Sequence, residues 1–208
     1  MGLEKVNPSN FIHPTSIVED SVSIGSGNYI GPFCYITGNT TIGNNNRFEA
    51  HCSIGTPPEH TNTFFKTDGR VVIGDDNIFR EFITVHSGAT RITSIGNKNK
   101  LLRGSYVGHD SILEDFITLS SNVLIGGYCY VMSGVNFGLG SMCHQCSKIG
   151  GYSMIGMGTV ITKQSKIIPG GVYIGSPAKF LKHNSFGLEK HSISQTQLEE
   201  LIHKYNLI

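Results

Sequence analysis

Apolar residues recur along this chain every six positions. From Ile12 the step lands on Val18, Ile24, Ile30, Ile36, Ile42, Phe48 and Ile54, and it resumes at Ile73, Phe79 and Val85. It then runs from Ile95 through Leu101, Val107, Leu113, Leu119, Ile125, Val131, Phe137, Cys143, Ile149, Ile155 and Ile161 to Ile167. A period of six matches neither the 3.6 of a helix nor the simple alternation of a half-buried strand, so it marks a stacked repeat. Two residues before many of these positions stands a small or β-branched residue, as at Ser16, Cys34, Thr40, Ser105, Val123, Cys129, Ser141 and Thr159. The residue after is often glycine, as at Gly25, Gly43, Gly74, Gly96, Gly126 and Gly156, which suits a tight corner that takes a positive φ and has no room for a Cβ. One large and one small inward side chain followed by a corner describe a short flat strand, and three such units close a triangular turn. The pattern predicts an all-β fold, a parallel β-helix of about eight triangular coils, on the order of 40 Å tall at the usual strand spacing.

The frame breaks twice. Residues 56–70 form an inserted loop between Ile54 and Ile73, and four extra residues lie between Val85 and Ile95. Solenoids place such insertions on the surface, often beside a binding face. After Ile167 the pattern dissolves. Ser194 and Gln197 have capping-box spacing, and Leu198, Leu201, Ile202 and Tyr205 follow a helical period. The expected organisation is a β-helix domain over 1–180, carrying the 56–70 loop, and a C-terminal helical appendage over 181–208. Its helix should cover the open edge of the last coil or pack against a neighbouring subunit.

Composition sharpens the picture in three places. Glycine accounts for 26 of 208 residues, which the repeated corners explain. Lys and Arg number 16 against 15 Asp and Glu, so no basic surplus exists for a nucleic-acid partner. No window approaches a membrane-spanning apolar run and the start carries no signal-peptide core, so a cytoplasmic chain is expected. Of the cysteines, Cys34, Cys52, Cys129 and Cys143 fall on inward positions, which reads as small core residues. Cys143 and Cys146 form a lone C-x-x-C without a second pair, so neither a bound metal nor a thiol nucleophile is expected.

Residues 18 apart lie above one another once the frame is fixed. His109, Gly127 and Gln145 make one outward column, Gly108, Gly126 and His144 the next, and Asp110, Tyr128 and Cys146 a third. Gly127 leaves a notch over the His109 imidazole. An imidazole titrates near neutrality and can take a proton from an attacking hydroxyl or amine. Asp110 would fix its tautomer, and a backbone N–H at Gly127 would hold a developing oxyanion. This constellation points to acyl transfer without a covalent acyl-enzyme. Taken singly, His13, His51, His60, His86, His183, His191 and His203 read as surface or contact residues, with His60 the most open to revision because it lies in the long loop.

The segments IHPTSIVEDSVSIG, IGPFCYITGNTTIG, IGDDNIFREFITVHSG, YVGHDSILED, VMSGVNFGLGSMCHQC and GLEKHSIS resemble the UDP-N-acetylglucosamine acyltransferases of lipid A biosynthesis over nearly the whole chain. The resemblance implies the left hand of the helix and a homotrimer with sites between subunits. It also implies a nucleotide-sugar acceptor and a thioester donor, with no permanently bound cofactor. It makes His109 the general base, Asp110 its orienting partner and Gly127 the oxyanion donor, with His144 and Gln145 contacting the acyl donor or the sugar. Members carry histidines where this chain has Tyr106 and Tyr128. Their sugar-contacting loop often holds Asp-x-Lys, whereas here Glu59, His60 and Lys66 have another spacing. Met157, between Gly156 and Gly158, falls where their acyl groove is often open, so a short acyl chain is expected. Lys190 and His191 resemble part of a basic contact in a C-terminal helical domain whose remainder has no counterpart here. The segment Gly175–Lys179 is equally at home in coenzyme A-dependent sugar acetyltransferases of the same fold, so acyl carrier protein and coenzyme A stay open as donors. Two further readings stand beside these: a noncatalytic scaffold, and a γ-type carbonic anhydrase, whose histidine pair five residues apart is absent here.

Overall fold

Each apolar position from Ile12 to Ile161 ends or lies within a short strand in the computed structural model, which describes residues 9–60, 62 and 68–208. The large residue points inward and its strand neighbour outward. Ile36 is fully buried beside exposed Tyr35, and Phe48 beside exposed Arg47. Strands 18 residues apart pair in parallel, large residue over large residue, as Ile30 over Phe48 and Leu119 over Phe137. Phe48 and Phe79 stack inside the prism with centroids 4.4 Å apart. Burying each such side chain contributes roughly 1.5–3 kcal/mol, repeated at every coil.

Three sheets result. One has ten strands, starting at Phe11–Ile12, the second has eight, starting at Ile17–Val18, and the third has seven, starting at Ser23–Ile24. The chain visits them in rotation, which makes a triangular prism. Glycine's role at the corners differs from expectation. The glycine after the apolar residue is generally not the one with positive φ; that conformation falls two residues later, often on a non-glycine such as Asp76 or Asp110. The first glycine is required by close approach instead, since a Cβ on Gly74 would lie 2.8 Å from the carbonyl oxygen of Gly96 in the next coil.

The repeat also runs one step further than its apolar residues suggested. Ile167 still bridges to Ile149, and Tyr173, six residues later, fills the next inward position in the strand Gly171–Ile174. The strand Lys179–His183 then turns back and pairs antiparallel with it. Two helices follow, α1 (Ser185–Lys190) and α2 (Gln195–Leu207). The capping box of Ser194 and Gln197 is formed, and Tyr205 is the buried residue of α2. This helix reaches the last coil through Leu198, which packs against Gly170. It lies along the outer side of the third sheet of its own chain, where Lys204 bonds Glu114 at 2.6 Å and Lys148 reaches the Tyr205 carbonyl and ring. The antiparallel strand occupies the edge.

Candidate active site

The corner between the second and third sheets carries the predicted constellation. Gly108, Gly126 and His144 follow strands of the second sheet in successive coils, and the next two residues complete each turn. His109 faces outward from the prism yet is only 6% exposed. Its ring is covered by His60 at 5.4 Å and by Tyr128 at 5.2 Å between centroids, both edge-on. The His109 Nδ1 lies 2.6 Å from Asp110 Oδ2. A carboxylate only accepts, so Nδ1 is the donor, and in the neutral tautomer this fixes, Nε2 is the nitrogen that carries the lone pair.

Asp110 is held by the short insertion. Ala89 N donates to Oδ2 at 2.8 Å, and Thr90 N and Arg91 N donate to Oδ1 at 2.8 and 2.5 Å. The Thr90 hydroxyl adds a further bond at 3.1 Å. Three successive backbone N–H groups form a nest around the carboxylate. Gly88 permits this fold-back, because a Cβ there would lie 1.5 Å from the Arg91 carbonyl oxygen. Burial pushes the Asp110 carboxyl up, but the hydrogen bonds from Arg91, His109, Thr90 and Ala89 together outweigh it, and the group stays below its ordinary value. A buried, ionised carboxylate therefore faces Nδ1.

Gly127 completes the arrangement. A Cβ at this position would stand 2.8 Å from His109 Nε2, so only glycine leaves that nitrogen uncrowded. An open groove of about 520 Å³ runs down the second sheet from this corner. Its wall includes the in-register outward residues Tyr106, Leu124, Met142 and Val160, with Glu59, Gly126, His144 and Thr162 at its edges. The Tyr106 hydroxyl donates to Glu59 Oε2 at 3.1 Å, and burial together with the Glu59 charge raises it above the usual phenol range. His86 packs edge-on against Tyr106 and donates Nδ1–H to the Pro57 carbonyl at 2.7 Å.

The structure thus brings together His109, Asp110, Gly127, Tyr106, Tyr128, His144, Glu59 and His60. Gln145 is exposed at the same corner. Met157 and Lys190 are elsewhere. Met157, 73% exposed, projects from the corner between the first and second sheets. Lys190 ends α1, beside His191, which packs on Tyr152 at the corner between the third and first sheets. Lys66 lies outside the described residues. Cys143 is buried, and its thiol is raised by its contact with Cys129 and by burial. Among the described residues no three His, Cys, Asp or Glu side chains converge as metal ligands. No helix of the described residues is long and apolar enough to cross a membrane.

Sequence reasoning missed the strap of Ala89, Thr90 and Arg91, the groove wall and His86. The wall was within reach, because Tyr106, Leu124, Met142 and Val160 form a column at the same 18-residue spacing that located His109.

A parallel triangular solenoid with a carboxylate-oriented imidazole at one corner defines a hexapeptide-repeat acyltransferase. Residues 21–56 match the family model for bacterial transferase hexapeptide (six repeats). The chain is 32% identical to the acyl-[acyl-carrier-protein]–UDP-N-acetylglucosamine O-acyltransferase of Pseudomonas syringae pv. tomato, over 98% of this chain and 83% of the relative. It is 33% identical to the enzyme of the same name from Syntrophobacter fumaroxidans, over 93% of this chain and 75% of that one. The crystal structure of UDP-N-acetylglucosamine O-acyltransferase from Moraxella catarrhalis superposes with a TM-score of 0.75 at 28% identity, covering 97% of this chain and 83% of that one. The chain belongs to the UDP-N-acetylglucosamine O-acyltransferase family and is an acyltransferase with the left-handed parallel β-helix of that family.

Proposed function

We propose that the protein moves an acyl group from a thioester, carried by acyl carrier protein or coenzyme A, to a hydroxyl or amino group of a UDP- or other nucleotide-linked sugar. The observation that carries this reading is the His109–Asp110 pair, whose Nε2 stands beside Gly127 at the corner where Gly126 and His144 line an apolar groove. Nε2 takes the acceptor's proton as its oxygen or nitrogen attacks the thioester carbonyl. The backbone N–H of Gly127 stabilises the oxyanion. Collapse breaks the C–S bond, the imidazolium protonates the leaving thiolate, and an ester or amide remains. Buried Asp110 stabilises the imidazolium between the two steps.

The apolar groove suits the acyl chain, while Glu59, His60, Tyr106, Tyr128, His144 and Gln145 surround the polar end. A homotrimer fits this reading. The outward face of the second sheet and its leading corner expose Ile17, Tyr35, Leu124, Met142, Phe33, Phe82, Leu139 and Met157, and exposed apolar side chains gathered on one face suit a subunit contact. Packing this face against the site-bearing corner of a second copy would bring a neighbour's Met157 to the groove and shorten it, favouring short acyl chains. Free-thiol release over a panel of nucleotide sugars, with acetyl-coenzyme A and hydroxyacyl carrier protein side by side, tests the reaction. Turnover of one donor with one sugar is expected, and no turnover with any pair contradicts it. A preference for chains beyond about ten carbons would contradict the role given to Met157.

A further inference from the structure

The short insertion does more than cradle Asp110. Arg91 is tied down twice, its N donating to Asp110 Oδ1 at 2.5 Å and its Nε to the Asp110 carbonyl at 2.6 Å. These bonds place the guanidinium 5.5 Å from the centroid of Tyr128, whose own ring packs against His109. Among the described residues the two terminal nitrogens of Arg91 meet no carboxylate and no carbonyl. The Asp110 carboxylate, beside which Arg91 is held, is fully engaged by three backbone N–H groups, a hydroxyl and an imidazole. Arg91 is exposed, so its remaining four N–H donors face outward. A permanently charged fork, held in place and left without an anion at the edge of a catalytic corner, matches the geometry of a phosphate.

Charge around the groove supports the same conclusion. The groove lining contains one acid, Glu59, and no lysine or arginine. A nucleotide-linked sugar carries a diphosphate, and both thioester donors carry a phosphate in the pantetheine arm or beyond it. The groove walls offer neither substrate a countercharge. We propose that Arg91 is a phosphate-binding residue of the site, gripping a phosphate ester of one substrate with the free edge of its guanidinium while its Nε stays on Asp110. The assignment rests on the acyl-transfer reading above and adds to it the place where the anionic part of a substrate is held. It also gives the insertion two tasks: its backbone fixes the base's partner, and its one arginine fixes the substrate.

Two variants separate anion binding from support of Asp110. Arg91→Gln keeps an N–H that can reach the Asp110 carbonyl but removes the charge, and Arg91→Lys keeps the charge. Calorimetric titration of each, and of the wild type, with UDP and with 4′-phosphopantetheine identifies which phosphate is held. The wild type should bind one of the two at least about 10-fold more tightly than Arg91→Gln, with Arg91→Lys in between. The KM for the matching substrate should rise by the same factor at nearly constant kcat. Loss confined to UDP assigns the acceptor's diphosphate, and loss confined to phosphopantetheine assigns the donor. Equal affinities of wild type and Arg91→Gln for both ligands would overturn the phosphate site and leave acyl transfer standing, as would a fall in kcat at unchanged KM. Absence of thioester turnover in the wild type would instead remove the reading on which the site rests.

Discussion

Two corners of the same prism are built from stacked polar residues, and they end differently. At the corner between the third and first sheets, Asn28, Asn46, Asn77 and Asn99 stand one above another. Each backbone N–H donates to the side-chain oxygen of the coil before, and Asn46 and Asn77 donate their amides to the carbonyls of Gly74 and Gly96. The ladder stops at Asn99, because the next position is Ile117, and the Asn99 amide nitrogen has no partner among the described residues. At the corner between the second and third sheets, His109 and Asp110 meet a strap from the insertion, and the next coil sets Gly127 beside Nε2 and the Tyr128 ring against the imidazole. There the hydrogen bonds converge on Asp110 and leave Nε2 open. A polar stack that closes on itself is architecture, whereas one whose bonds are all spent on aiming a single atom is suited to chemistry.

Substitutions at the two corners should therefore separate turnover from stability. The largest effect is expected for His109→Ala, which should lower thiol release by about 100-fold or more while the melting temperature barely moves. Gly127→Ala comes next: a methyl 2.8 Å from Nε2 must displace the imidazole, and turnover should fall about 10- to 100-fold with little loss of stability. Asn77→Ala should do the reverse. It leaves the Asn99 N–H and the Asn46 side-chain oxygen short of partners and should cost about 1–3 kcal/mol in denaturant unfolding, with the specific activity of the folded protein unchanged. Turnover lost in Asn77→Ala before any unfolding would erase the distinction between the corners.

A smaller effect concerns a third carboxylate, Glu114, which anchors α2. Burial raises its carboxyl, but bonds from Lys204, Tyr130 and Ser133 together outweigh this and hold it below the ordinary value. A lowered folded-state value stabilises above the unfolded value of about 4.3 and is lost as pH falls through the folded value. Protection of the α2 amides from hydrogen exchange should persist down to about pH 4 and decline below it, and Glu114→Gln should flatten the dependence. The partly exposed pair with Lys204 limits the effect to less than about 1 kcal/mol.

The prism was legible because its rule is written in side chains: one large and one small inward residue per side, at a fixed spacing. His109, Asp110 and Gly127 were legible for the same reason, since the period aligned them. The cradle of Asp110 was not, because backbone N–H groups make it and Ala89, Thr90 and Arg91 carry no pattern that announces a nest. Tyr173 escaped because a hydroxyl-bearing ring after a proline and two glycines departs from the Ile, Leu, Val and Phe of the series although it keeps the step. The docking of α2 was open for another reason. A helical period tells which side is apolar, and the partner of that side comes from the third sheet, through Glu114 and Lys148. Met157 and Lys190 were placed by resemblance, and each sits at a corner that a single chain keeps apart from His109.

In the proposed reaction His109 Nε2 receives the acceptor's proton. A crystal structure of the protein with the nucleotide sugar that supports turnover tests this step. The acceptor oxygen or nitrogen is expected at about 2.6–3.2 Å from His109 Nε2, beside the backbone of Gly127. A sugar seated at another corner of the prism, or one whose reactive atom turns away from that imidazole, would contradict it.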